Sequence, residues 1–522
     1  MNYNFLLKTE TKKQWEKIGI ERKAGIIVPL FSIWTKESAG IGEILDLKLL
    51  IDWTKKVGFK IIQLLPINDF VFSPYFILSS FAIDPVYLSL KDLIKKEEKE
   101  SLRKKFSKRE RVEWAIKNEK LKLLWKIFSK KKIKEIDEKF EKENEWWLRD
   151  YSIFKVLKEK IKKSWQDWPE TLRKREKRSL EKVEKKYKKE ILFQKWLQFQ
   201  IFLQLKEVKN YAKENGIFLK GDLPWLLPKE SSDCWQNPQY FDLNFSAGAP
   251  PDNFSKKGQK WGLAPLNWER IIKDEFLYFK EKLKYQENFY DIFRIDHAIG
   301  LFRLWKIPLT KKPKDGFYDP KDEKEQKERG KKILREIIKS TKMLPCAEDL
   351  GSPPPFLSKV LFEFGIPGIS VQRWQKNWKK GTFLRSSQYN LISVATLSTH
   401  DTSLFLEWFE KETTKKEKTE FLKILNLKNF SKKTLILKNL EFIHYVPCIF
   451  SINLISEWLF LDNILKKSPS FYRINIPGKK LKRNWTFKIP ISLEELLEHK
   501  INLQISEILS KTKRFQLKNH SF

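Results

Sequence analysis

The sequence predicts an α/β fold, a (β/α)8 TIM barrel interrupted by inserted, largely helical subdomains. Three observations predict it. Short β-rich runs end in charge at Asp291-Ile-Phe-Arg-Ile-Asp-His297, Met343-Leu-Pro-Cys-Ala-Glu-Asp-Leu-Gly351 and Val394-Ala-Thr-Leu-Ser-Thr-His-Asp401. Their carboxylates, Asp296, Glu348 and Asp401, lie roughly fifty residues apart, as strands separated by helices do. A carboxylate delivered by a strand end suits a barrel, whose sites lie at the C-terminal ends of the strands. Taken alone, the first of these segments reads equally well as a structural ion pair at a strand end.

In chain order, residues 1–23 read as a helical lead-in and Ala24–Leu30 as the first barrel strand. Gly40-Ile-Gly42 turns into an amphipathic helix, with Ile44, Leu47, Ile51 and Thr54 at helical spacing and Gly58 at its end. Ile61–Leu65, stopped by Pro66, is the second strand, which completes one βα repeat. Residues 91–215 lose this alternation. They are long, charged and helical in pattern, with Ile201, Leu205, Val208 and Ala212 on one stripe, and are expected to form an insertion subdomain with Trp146, Trp147, Trp165 and Trp168 as its core. Gly216–Pro224 is the third strand, with Asp222 at its end. The segments ending at Asp296 and Glu348 are the fourth and fifth. Gly365–Val371 is the sixth, the seventh ends at Asp401, and Cys448–Leu454 is the eighth. The loop Ser246–Phe254, continuing to Trp268, is rich in Gly and Pro and is expected to lack regular structure. The expected organisation is a barrel start over 1–90, the helical insertion over 91–215, the rest of the barrel over 216–490 with the loop 246–268 inside it, and a C-terminal helix and tail over 491–522.

With 522 residues and 41% hydrophobic content, the chain can bury a large core. Its net charge of +37 raises the question of a nucleic-acid or membrane-surface partner. The lysines, however, are spread along the chain and alternate with Glu, as over 95–100, and the run Lys174–Lys189 reads as a solvated helix face. No specific nucleic acid and no membrane are therefore expected as partners. Cys234, Cys346 and Cys448 form no C-x-x-C, which argues against a disulfide framework and for a reducing cytoplasm. The first residues carry no secretion signal, and no run of about 18 apolar residues suits a transmembrane helix. The five histidines have no zinc-site spacing and no Gly-rich phosphate loop precedes a helix, so neither metal nor cofactor is expected.

Three carboxylates at three strand ends are the parts of a retaining glycosidase: a nucleophile, a general acid/base and a helper. Arg294-Ile-Asp-His297, Ala347-Glu-Asp-Leu-Gly351 and Ser398-Thr-His-Asp401, in this order, resemble the catalytic segments of the 4-α-glucanotransferase (amylomaltase, or disproportionating enzyme) family of α-amylase-like barrels. Further segments carry the resemblance from about Gly25 to Pro490. They are Gly40-Ile-Gly42, Gln63-Leu-Leu-Pro66, Ser73-Pro-Tyr75 with Ser79-Ser-Phe-Ala82, Gly221-Asp-Leu-Pro224, Gly248-Ala-Pro-Pro-Asp-Asn-Phe254, Gly258-Gln-Lys-Trp-Gly262, Arg473-Ile-Asn-Ile-Pro-Gly478 and Asn484-Trp485.

The resemblance implies that Asp296 is the nucleophile, Glu348 the general acid/base and Asp401 the transition-state stabiliser. It places Ser73 and Tyr75 beside the sugar at the cleavage point, Trp261 as a stacking plane on a lid over the acceptor side, and Asp222, Arg294, His297, His400 and Asn475 among the substrate contacts. A turn-capping role for Asp222, a packed turn for Tyr75, and a surface glucan site at the insertion tryptophans stay open as other readings. The implied partners are maltooligosaccharides and α-1,4-glucans, with glycogen as a candidate acceptor. An amylase-like hydrolase and a catalytically silent glucan- or nucleic-acid-binding protein are the competing functions. A separation of roughly 5–5.5 Å between the carboxyls of Asp296 and Glu348 would fit retention. Two segments depart from the common pattern: Arg294-Ile-Asp-His-Ala-Ile-Gly300 and His400-Asp-Thr-Ser403. These variants, with Gly42-Glu43 and Asp46-Leu47, look more like the branch containing the plant cytosolic disproportionating enzyme, which moves glucose from maltose to branched glucans. The short stretch before Gly25 leaves no room for that branch's starch-binding domains, so the likeness is partial.

Overall fold

The computed structural model describes residues 2–91, 93–94, 96–130, 136–252 and 255–515. Lys95 of the charge run, residues 131–135 of the insertion, Asn253 and Phe254 of the loop, and the tail from 516 lie outside the described residues. Eight strands form one parallel sheet: β1 (Lys23–Val28), β2 (Ile61–Leu64), β3 (Phe218–Leu223), β4 (Ile292–Ile295), β5 (Leu344–Ala347), β6 (Gly368–Val371), β7 (Ser393–Thr396) and β8 (Phe450–Leu454). Each pairs with its sequence neighbour except at one seam, and β8 returns to β1 in the register Lys23↔Phe450. Both faces of these strands are covered, which is why they read as apolar runs rather than alternating patterns.

The seam lies between β5 and β6, which stand at the two ends of the strand order. The Ala347 N–H donates to the Pro367 carbonyl at 2.8 Å, and the Ile369 N–H donates to the Asp349 carboxylate at 2.8 Å. A side chain thus takes the place of a ladder bond and closes the barrel immediately beside Glu348.

The helix after β1 begins as a 3-10 turn, Ile44–Asp46, and continues as Leu47–Val57. It buries Leu47, Leu50, Ile51 and Thr54 and ends at Gly58, whose φ of +93° is the left-handed cap that glycine adopts without strain. Between β2 and β3 the described residues hold helices and no strand, the longest being Ala115–Lys130, Glu138–Ile161 and Lys188–Glu214. Trp147, Trp165 and Trp168 are buried there, while Trp146 is half-buried with its ring edge against Phe81. The basic helix Lys177–Lys186 buries only Leu180 and Val183 and gives its remaining surface to water. All three cysteines are free and buried, and among the described residues no helix is long and apolar enough to cross a membrane.

Two expectations need correction. The seventh strand stops at Thr396, and Asp401 sits in the loop beyond it. Local bonds there, Thr396 Oγ1 to the Ser398 carbonyl and the Thr399 N–H to Thr402 Oγ1, compete with strand extension. The Gly/Pro-rich loop is also not wholly irregular. Phe245–Ala249 is a strand between Leu304–Pro308 and Gln259–Lys260, in an antiparallel sheet completed by Phe317–Asp319. Neighbouring strands supply its backbone partners, and Pro250 and Pro251 end it.

The seam gives a test. A Cβ at Gly368 would lie 2.4 Å from Asp349 Oδ2. Gly368→Ala is therefore expected to destabilise the protein by about 1–3 kcal/mol in urea unfolding, through displacement of the Asp349 clasp.

Candidate active site

Asp296 and Glu348 are the first residues beyond β4 and β5, so the ends of two adjacent strands fix their positions. Arg294 lies two residues before Asp296 on the same strand face and stands opposite Asp222 of β3 in the register. Its guanidinium joins three carboxylates. Nη1 donates to Asp222 Oδ1 at 2.8 Å and to Asp296 Oδ1 at 2.7 Å, and Nη2 lies 3.8 Å from Glu348 Oε2. The Asp222 side chain is wholly buried and that of Arg294 is 9% exposed, so neither ion relies on water. An ion held this deep is tolerable only when paired.

Glu348 is oriented by two backbone donors, the His297 N–H at 2.9 Å and the Leu350 N–H at 3.1 Å. The first is aimed by His297 itself, whose φ of +46° is unusual outside glycine. Burial raises the Glu348 carboxyl to about 7; Arg294 opposes the rise, and Asp296 and Asp349 reinforce it. Burial also lowers His297 to about 4, so its imidazole is neutral at physiological pH. Asp401 is the most open of the three, its side chain 45% exposed. Burial alone would raise its carboxyl, but His400, with Nε2 at 3.4 Å, and Asn475, donating at 2.7 Å, outweigh this and bring it to about 2. Arg473 donates to the Asp401 carbonyl, and the Asn475 N–H donates to that of His400, so the strap 473–485 holds the whole loop.

Tyr75 arrives on a hairpin whose arms pair at Asn68↔Ile83 and Phe70↔Ile77. Its hydroxyl donates to Asp222 Oδ2 at 2.6 Å, and its ring stacks on His400 at 4.8 Å and 17°. Trp485 completes this aromatic wall, 5.8 Å from Tyr75 and 5.9 Å from His400. Trp261 stands on the loop 246–268 with its ring at right angles to that of His297, 4.8 Å away. This loop packs on a small core of its own, Leu226, Ala247 and Leu304 with Trp261 and Leu263.

The sequence-derived residues thus converge, and three of them hydrogen-bond their neighbours in the site. Asp222, with one oxygen on Tyr75 and the other on Arg294, anchors those two groups and has no face toward the cleft. Ser73 accepts the Tyr75 N–H at 3.3 Å and shapes the hairpin tip. Asn475 orients Asp401. Sequence reasoning gave no role to Trp485 or Asp349, although both lie inside the motifs that mark the site, Asn484-Trp485 and Ala347-Glu-Asp-Leu-Gly351.

The raised Glu348 carboxyl has a consequence for stability. Its contribution is fully present below about 4.5 and is lost as pH rises through about 7. The span between those values corresponds to roughly 3 kcal/mol. Glu348→Gln removes the titration, leaving the pH-independent loss of one acceptor. Its stability relative to wild type is expected to improve by up to ~3 kcal/mol between pH 4 and pH 8 in urea unfolding.

A family model described as 4-alpha-glucanotransferase matches residues 28–493. The 4-alpha-glucanotransferase of Chlamydia caviae is 36% identical over 527 aligned residues, covering 96% of this chain and 97% of that one. That of Chlamydia pneumoniae is 37% identical over 517, covering 95% and 97%. Among solved structures, an amylomaltase from Streptococcus agalactiae in complex with acarbose superposes with a TM-score of 0.82 at 23% identity, covering 95% of this chain and all of that one, a likeness of fold. The family match takes in Asp296, Glu348 and Asp401, the relatives are matched over nearly their whole length, and the chain belongs to the 4-alpha-glucanotransferase family.

Proposed function

We propose that the chain transfers α-1,4-linked glucosyl or glucan segments between maltooligosaccharides and glucans, with glycogen among its acceptors, by a retaining double displacement. One observation carries this reading: a single buried guanidinium brings Asp296 and Glu348 together at adjacent strand ends, one beside a cation and the other pushed up to about 7. Asp296 attacks the anomeric carbon as the bond to the glycosidic oxygen breaks, and Glu348 passes its proton to that oxygen. The departing glucan leaves a glycosyl ester on Asp296. An acceptor hydroxyl then loses its proton to Glu348 and attacks the same carbon, which returns Asp296 as carboxylate. Asp401, ionised at any working pH, holds sugar hydroxyls and offsets the positive charge that develops at the ring. Tyr75 and His400 form a stacking wall for the sugar at the cleavage point, and neutral His297 supplies a further hydroxyl contact.

Transfer requires that a sugar hydroxyl, and not water, meets the ester. Trp261 offers an aromatic plane at this point, and its lid rests on a separate small core. A lid that covers the cleft between the two steps excludes water.

Three outcomes test the reading. Maltotriose is expected to yield glucose together with longer oligosaccharides, a pattern lost by at least a thousandfold in Asp296→Asn; short sugars alone would identify a hydrolase. The kcat/KM profile is expected to fall as pH rises through about 7, where Glu348 loses its proton, with no acid limb from Asp401 above about pH 4. Shortening the lid across Pro250–Lys260 is expected to raise the ratio of hydrolysis to transfer several-fold, measured from the products of one incubation.

A further inference from the structure

The aromatic wall is assembled from three loops, and His400, from the loop after β7, stands against both of the other two rings. Tyr75 comes from the hairpin after β2, and Trp485 from the strap after β8. Trp485 adopts a φ of +60°, a conformation that a bulky side chain keeps only when its surroundings impose it. The Trp485 N–H donates to the Ile474 carbonyl at 2.8 Å within the strap, and one short segment of the helical insertion, 111–117, packs against it from outside.

On the strap side this segment makes a row of bonds. The Trp114 indole N–H donates to the Trp485 carbonyl at 3.0 Å, and the Val112 N–H donates to the Thr486 carbonyl at 2.9 Å. Arg111 donates to Thr486 Oγ1 at 3.0 Å and to the Arg483 carbonyl at 3.3 Å. On the hairpin side, the Trp114 ring meets Phe70 edge-on at 5.0 Å. Lys117 donates to Asp69 at 3.0 Å, to Asp84 at 2.7 Å and to the Phe70 carbonyl at 3.2 Å. Asp69 and Asp84 are wholly buried, and the second oxygen of Asp69 is held by Tyr151 and Lys155 of the helix Glu138–Ile161. Asp69 and Asp84 stand at the base of the hairpin whose tip carries Tyr75. One tryptophan and one lysine therefore reach both halves of the wall from behind.

We infer that segment 111–117 is a bracket that sets the spacing of Tyr75, His400 and Trp485, with Trp114 and Lys117 as positioning residues for the glucan at the cleavage point. This rests on the proposed role of Tyr75 and His400. It gives the helical insertion a function in the reaction: residues between its helices Lys96–Phe106 and Ala115–Lys130, and the start of the second, lock two barrel loops into one sugar-binding surface. Neither residue acts on the sugar itself. A shift in the wall changes how well the reacting sugar is held, and a small misplacement there is felt in the chemical step.

Trp114→Phe tests this while keeping an aromatic ring between Phe31 and Phe70; it removes the bond to the Trp485 carbonyl together with part of the indole's bulk. The expected result is a fivefold or larger rise in KM for maltotriose with a smaller fall in kcat, and faster amide exchange confined to residues 68–84 and 471–487. Lys117→Met is expected to lower kcat/KM at least tenfold, and Lys117→Arg to recover most of it. Unchanged KM and kcat in Trp114→Phe overturn the inference, whether or not the exchange rates rise, and so does a Lys117→Arg protein that is folded but as impaired as Lys117→Met. Should Lys117→Met fail to fold, Trp114→Phe decides alone. The underlying reading is checked separately by wild-type maltotriose turnover and its loss in Asp296→Asn. If the wild type transfers nothing, the proposed function falls and the bracket's catalytic role falls with it. If the wild type transfers and the bracket variants match it, only the bracket falls.

Discussion

One guanidinium serves three carboxylates. Arg294 donates to Asp222 and Asp296 and faces Glu348 at longer range, all of them shielded from bulk water. Burial is the main cause that raises the Glu348 carboxyl, and Asp296 and Asp349 reinforce it; Arg294, bonded to Asp222 and Asp296 but 3.8 Å from Glu348, opposes the rise without undoing it. Losing the guanidinium would take the cation from the wholly buried Asp222, leaving it bonded to the Tyr75 hydroxyl, and from Asp296 and Glu348 at once. Removing one partner of such a cluster is far more damaging than never having built it.

The barrel turns this local chemistry into geometry. Adjacent parallel strands end at the same level, so Asp296 and Glu348 inherit their spacing from the β4–β5 ladder rather than from flexible loops. The neighbouring seam lacks such a ladder, and Asp349 fills the gap with its carboxylate on the Ile369 N–H. The same residue raises the pKa of Glu348 as a nearby negative charge. Closure of the fold and tuning of the acid thus meet in a single side chain, next in sequence to the residue it tunes.

Much of this was legible in the sequence. Most of the barrel strands show as short apolar runs, while the third, Phe218–Leu223 with Lys220 and Asp222 inside it, shows through its motif, and the carboxylates that follow the fourth and fifth stand out as charge directly after an apolar run. Asp401 was legible as a residue and less so as a position, because Ser and Thr side chains fold the chain back on itself after Thr396. The strand Phe245–Ala249 was hidden by its glycine and prolines, since its partners come from Leu304–Pro308, far along the chain. Asp222 and Asn475 were legible as members of the site but not as supports, for which the side of the carboxylate that faces the cleft has to be known. Asp69, Trp114 and Lys117 left no signal at all. A lysine in a lysine-rich helix looks like every other solvated lysine until two buried aspartates are found against it.

The site's two walls are held with very different firmness, and the proposed reaction needs that contrast. The hairpin with Tyr75 is fixed at its base by ion pairs from Lys117 and Lys155 to the wholly buried Asp69 and Asp84, and the strap is bonded along its backbone to 112–114. Displacing either exposes unpaired charge or orphans buried donors, each an expensive event. The loop carrying Trp261 is rooted in the antiparallel sheet through Phe245–Ala249 and Gln259–Lys260, and Trp261 itself packs on three buried apolar residues separate from the main core. Uncovering so few side chains costs about 1.5–3 kcal/mol apiece at most. A two-step transfer has to release one glucan and admit another while a sugar stays bonded to the protein. The surface that grips the retained sugar must stay closed through this exchange, and the surface over the acceptor must yield. Ion pairs behind the one and a small apolar patch beneath the other place rigidity and give where those two demands fall.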